Sequence, residues 1–133
     1  MPVKSTVIKI GTSDIWVDEQ NILRVKVYEG AELNLKEVKI YFEAYCELGC
    51  NKNNKLLQLM DVQVNAHMTK EAREYVAQNA EKFFIASAVI TANLAVRLIA
   101  NFITKFYKLE VPFKLFETEE KALEWLLKYR KLD

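Results

Sequence analysis

The stretch "KLLQLMDVQVNAHMTKEAREYVAQNAEKFFIASAVIT", residues 55–91, decides the fold. Its first part, "KLLQLMDV" (55–62), is too short and too continuously apolar for an amphipathic helix and reads as an inner strand covered on both faces. Thr69 is a helix N-cap, and in "TKEAREYVAQNAEKF" (69–83) the residues Ala72, Val76, Ala80 and Phe83 share one helical face. "FFIASAVIT" (83–91) is a second strand, again apolar on both faces. Strand, helix and strand within about 30 residues make a βαβ unit, whose strands run parallel and whose crossover is right-handed.

The pattern continues in both directions. Upstream, "STVIKI", "DIWV", a polar turn "DEQN" and "ILRVKVY" read as strands, with Leu23, Val25 and Val27 alternating against Arg24 and Lys26. "NLKEVKIYFEAYCELG" (34–49) changes to helical period through Leu35, Val38, Phe42 and Tyr45. Asn34 and Glu37 form a capping-box pattern, and Gly49 is the stop. Downstream, "TANLAVRLIANFITKFYKL" (91–109) reads as a helix capped by Asn93 and blocked by Pro112, followed by the strand "PFKLF" (112–116). Thr118 caps "EEKALEWLLKYRKL" (119–132), whose acidic first turn and basic last turn suit the helix dipole. The expected architecture is α/β: an N-terminal β-hairpin, then repeated βα units on a mixed, largely parallel sheet, in one domain over residues 1–133.

Bulk properties exclude several function classes. At 133 residues and 51% hydrophobic, the chain has enough apolar material for one self-supporting domain. A formal net charge of +1 provides no field for nucleic acid, and 3 Gly and 2 Pro leave no material for a glycine-rich phosphate loop. Arg97 and Asn101 interrupt the most apolar helix, so no membrane span is expected. The start "MPVKSTVIK" lacks the features of a signal peptide, which points to the cytoplasm. Cys46, Cys50 and the single His67 lack paired ligand spacing, so neither a metal nor a cofactor is expected.

The element order, together with "NKLLQLMDV", "AVITAN" and the ending "PFKLFETEEKALEWL", resembles the STAS superfamily (sulfate transporters and anti-sigma-factor antagonists), and within it the SpoIIAA-like branch. That resemblance implies a non-enzymatic regulator that binds a protein partner. In the best-understood members a serine after the third strand is phosphorylated, and the added bulk and charge break the partner contact. The corresponding loop is "DVQVNAHMT" (61–69), where Asp61 matches an acidic residue closing the strand. The family's Asp-Ser-Ser-Gly motif is absent and Thr69 is the one hydroxyl nearby. Thr69 has two readings: a phosphate acceptor at a helix N-terminus, or simply the N-cap.

Two groups of residues are therefore candidates for function. Asp61, Asn65, His67 and Thr69 form a candidate switch or binding loop, a small polar pocket at the carboxyl end of a strand. No nucleophile with an identifiable base accompanies His67, which argues against an enzyme. On the apolar helix, Ala95, Leu98, Ile99, Phe102, Phe106 and Leu109 make one broad face that should cover the sheet, and Val96, Ala100, Ile103 and Tyr107 make a second ridge about 100° away, a surplus of apolar surface. Val96, Ile103, Phe106 and Tyr107 are the candidate interface or ligand wall. That surplus has three readings: a crowded helix layer, a protein interface, or a ligand wall in which Phe102, Phe106 and Trp125 line a cavity under residues 94–108. If all helices lie on one side of the sheet, the other side needs the hairpin or a second subunit. The leading expectation is a protein-interaction module, as a homodimer, and the alternative is a carrier of a small apolar ligand.

Overall fold

A computed structural model of the chain describes residues 6–62, 66–91 and 111–130. Its main sheet has six strands: β1 (Ile8–Lys9), β2 (Ser13–Val17), β3 (Ile22–Val27), β5 (Leu56–Val62), β7 (Phe84–Ile90) and β8 (Phe113–Phe116), side by side in that order. The first three are antiparallel, and β3, β5, β7 and β8 are parallel. A second, two-stranded sheet joins β4 (Glu32–Leu33) to β6 (His67–Met68). The helices are α1 (Leu35–Glu47), α2 (Lys70–Asn79) and α3 (Glu119–Arg130), with a 3₁₀ turn at Ala80–Lys82. Hairpin and parallel strands thus follow the order expected from the periodicities. The helix expected over 91–109 lies outside the described residues.

Local chemistry sets the element boundaries. In the β2–β3 turn the Asp18 carboxylate accepts from the Gln20 and Ile22 amides at 2.9 and 3.0 Å, and Asn21 takes the left-handed conformation at φ 64° that closes the turn. The Asn34 side chain accepts from the Glu37 amide at 2.8 Å and starts α1. Glu37 does not complete the expected box in isolation: its carboxylate accepts from Thr12 Oγ1 at 2.7 Å, tying the β1–β2 loop to the helix. Gly49, at φ +87°, ends the helix in the region that favours glycine. Thr69 and Thr118 cap α2 and α3 through the Ala72 and Lys121 amides, both at 3.3 Å.

Both sheet faces are covered, but by different helices. Ile15, Leu23, Val25 and Val27 point to the face taken by α1 and α2, where they meet Val38, Tyr41, Phe42 and Tyr45. Ile22, Leu57, Leu59, Ala86 and Ala88 point to the other face, where they meet Ala122 and Leu126 of α3. Ala86, Ala88 and Ala122 are fully buried, and their small side chains let α3 lie close to β7. The condition under which one sheet face would need the hairpin or a second subunit, all helices on one side, is therefore not met at β5 and β7. Their second face is occupied by a helix of the same chain, because α3 follows the last strand onto the side opposite α1 and α2.

Candidate binding cavity

An apolar cavity of about 140 Å³ lies between α1, α2 and the first sheet face. Its floor is formed by alternate residues of three adjacent parallel strands: Gln58, Met60 and Val62 of β5, Ser87 and Val89 of β7, and Phe113 and Leu115 of β8. Its walls are Val38, Phe42 and Tyr45 of α1 and Val76 of α2, with Ala80 of the following turn. An edge-to-face cluster stiffens this side: the Phe42 ring lies 5.0 Å from Tyr45, 5.4 Å from Tyr75 and 4.9 Å from Phe83, centroid to centroid. At the rim sit Ala66, His67 and Met68. They are held there because the His67 amide donates to Ala31 O at 2.8 Å and the Thr69 amide to Leu33 O at 3.0 Å.

Among the described residues of this apolar lining, Tyr45, Gln58 and Ser87 form a buried polar chain. Ser87 Oγ donates to Gln58 Oε1 at 2.7 Å, and Gln58 Nε2 donates to the Tyr45 hydroxyl at 3.3 Å. Ser87 and Gln58 are directly opposite each other in the β5–β7 register, so the first bond follows from strand pairing. All three residues are at least nine-tenths buried. Burial, the neighbouring Tyr41 and Cys50 raise the Tyr45 phenol above its ordinary range despite the Gln58 bond, so it stays a neutral donor. The periodicities placed Tyr45 in the core but did not single out Gln58 or Ser87. The available signal was one polar residue in each of two strands otherwise apolar on both faces.

The structure separates the residues of the candidate switch loop. His67 is exposed at the cavity rim and Thr69 caps α2. Asp61 points to the opposite sheet face, since β5 alternates and Met60 and Val62 take the cavity side. There it lies in a charged cleft with Lys26, Arg24 and Glu119, in which Arg24 bonds Asp18 and Glu119, each at 2.9 Å. Asn65, Val96, Ile103, Phe106 and Tyr107 lie outside the described residues, as does Phe102. Trp125 does not line the cavity. It sits on the α3 side with Phe116 and Tyr129, ring centroids 5.6 and 5.0 Å away, because Phe116 points away from Phe113 and Leu115.

Cys50 is buried, and its thiol donates to Phe83 O at 3.1 Å, whereas Cys46 is exposed on α1. Among the described residues no three His, Cys, Asp or Glu side chains gather to hold a metal, and no helix is long and apolar enough to cross a membrane.

A family model for a domain of unknown function, DUF7793, matches residues 15–130. The chain belongs to the DUF7793 family. No curated protein matches this family member by sequence. It is similar in structure to an uncharacterized DUF3478-family protein with a SpoIIAA-like fold from Shewanella loihica PV-4. The two are 16% identical, with a TM-score of 0.59 over 95% of this chain and 98% of that one. The DUF7793 chain therefore has a SpoIIAA-like fold, as its element order and C-terminal pattern implied.

Proposed function

We propose that this DUF7793 protein is a non-enzymatic binding module that takes a small apolar molecule into the cavity between α1, α2 and the sheet. The cavity carries this reading: about 140 Å³, its described lining residues almost all aliphatic, methionine or aromatic. An engineered cavity of roughly 150 Å³ with such a lining stays dry and accepts benzene, so the volume suits a ligand of that size. A non-catalytic role is supported by the described lining residues, among which there is no carboxylate and one histidine, at the rim. Toluene, titrated by calorimetry, is expected to bind saturably and raise the melting temperature. Val76→Phe, which places a ring in the same space, is expected to remove both effects. Absence of toluene binding to the unaltered protein overturns the proposal.

A second reading, regulation through a protein partner in the cytoplasm, is supported by the SpoIIAA-like fold and by the exposed Glu32 and His67, paired across β4 and β6. A homodimer is one form of it. Sedimentation at the monomer mass of 15.5 kDa over a wide concentration range would remove that form. Thr69 is better supported as a cap than as a phosphate acceptor, since its hydroxyl already accepts from the Ala72 amide.

A further inference from the structure

We infer that the cavity selects neutral carbonyl compounds of about benzene size, through spare hydrogen-bond donors on the buried Tyr45–Gln58–Ser87 chain. This inference rests on the ligand-binding reading above and names the ligand class. The serine hydroxyl, the tyrosine hydroxyl and the glutamine amide together carry four donor hydrogens, of which the two bonds in the chain use two. Two remain without a partner among the described residues, on side chains 2 to 6% exposed whose described neighbours in the cavity lining are mostly apolar. Turning the amide over changes which group donates within the chain, but the same number stays free.

In the observed orientation the free hydrogens are the Tyr45 phenol proton and the second amide hydrogen of Gln58, on atoms 3.3 Å apart. One carbonyl oxygen, with two lone pairs, can accept from both. Unmet buried donors are destabilising, so a ligand that satisfies them gains more than its apolar body alone would supply. A carboxylate fits poorly, because among the described residues the cavity lining has no buried cation and His67 is exposed at the rim. The volume of about 140 Å³ limits the apolar part to roughly one six-membered ring.

The test compares acetophenone with α-methylstyrene, which replaces the carbonyl oxygen by a methylene group of similar shape. Both are titrated into the native protein and into Tyr45→Phe/Gln58→Leu/Ser87→Ala, which removes every hydrogen-bonding side-chain group of that chain. The acetophenone-to-α-methylstyrene affinity ratio is expected to fall about tenfold in the variant, the size of a lost buried hydrogen bond. The infrared carbonyl stretch of acetophenone bound to native protein is expected below its alkane value, which decides the matter even if the variant fails to fold. An unchanged ratio, or a carbonyl band at the alkane position, overturns the selection while leaving the cavity reading intact. Benzoate binding as tightly as acetophenone overturns the preference for a neutral ligand. If neither neutral compound binds the native protein, the cavity reading fails and takes this inference with it.

Discussion

Cys46 and Cys50 are four positions apart, yet the fold gives them different chemistry. Cys50 is fully buried and donates to Phe83 O, and burial pushes its thiol up to about 12, against an ordinary value of 9.0. Cys46 faces solvent. A thiol reagent is therefore expected to modify Cys46 rapidly in the native protein and Cys50 only on unfolding; prompt modification of both would contradict the placement. The same shift makes stability depend on pH. Folded Cys50 keeps its proton to higher pH than the unfolded chain, so this contribution is complete below about pH 9 and is lost as pH rises toward 12. The slope from one such group is at most about 1.4 kcal/mol per pH unit. Urea titrations between about pH 9 and 10 are expected to show a flatter decline for Cys50→Ala than for the native chain. Tyr41 and Tyr45, also raised by burial, add a further alkaline loss above pH 10 in both proteins.

For the secondary-structure elements, caps were the most legible feature, because a cap is a contact between residues three apart. Asn34, Thr69 and Thr118 all bond the amides that their positions predicted. Thr69→Ala is expected to lower unfolding free energy by about 1 kcal/mol while leaving toluene affinity unchanged, since the hydroxyl serves α2 and not the cavity. A loss of ligand binding without a stability change would assign Thr69 a different role. Glu37 shows where local reading stops: its carboxylate meets Thr12, 25 positions away. The β4–β6 pair was illegible for a related reason. Two-residue strands carry no period, and Glu32 meets His67 only because the intervening β5 returns the chain to that edge.

In the whole molecule, the helix layers determine what the sheet can do. α3 seals the second face of β5 and β7 through Ala122 and Leu126, both fully buried, so the space available for a ligand lies on the other face. Leu126→Ala is expected to cost about 2–5 kcal/mol, the range for truncating a buried leucine, measurable by chemical denaturation. A cost below about 1 kcal/mol would mean that α3 does not hold that face closed. The split of Asp61 from His67 has the same origin. Neighbours in the 61–69 loop lie on opposite sides of the sheet, one in a charged cleft and one at the cavity rim.

Among the described residues, the amino-acid sequence alone determined the types of the longer elements, the strand order of a hairpin followed by parallel βα units, and the caps at Asn34, Thr69 and Thr118. These depend on periods of 2 and 3.6 and on contacts within one turn, so they are written locally. Only the tertiary structure decided which face each helix covers, where Trp125 lies, and that Gln58 and Ser87 meet beside Tyr45 in an apolar cavity. A strand's alternation separates its residues into two sets without saying which set faces which helix. Strand register and helix placement, set by packing between distant segments, brought three unremarkable polar residues together.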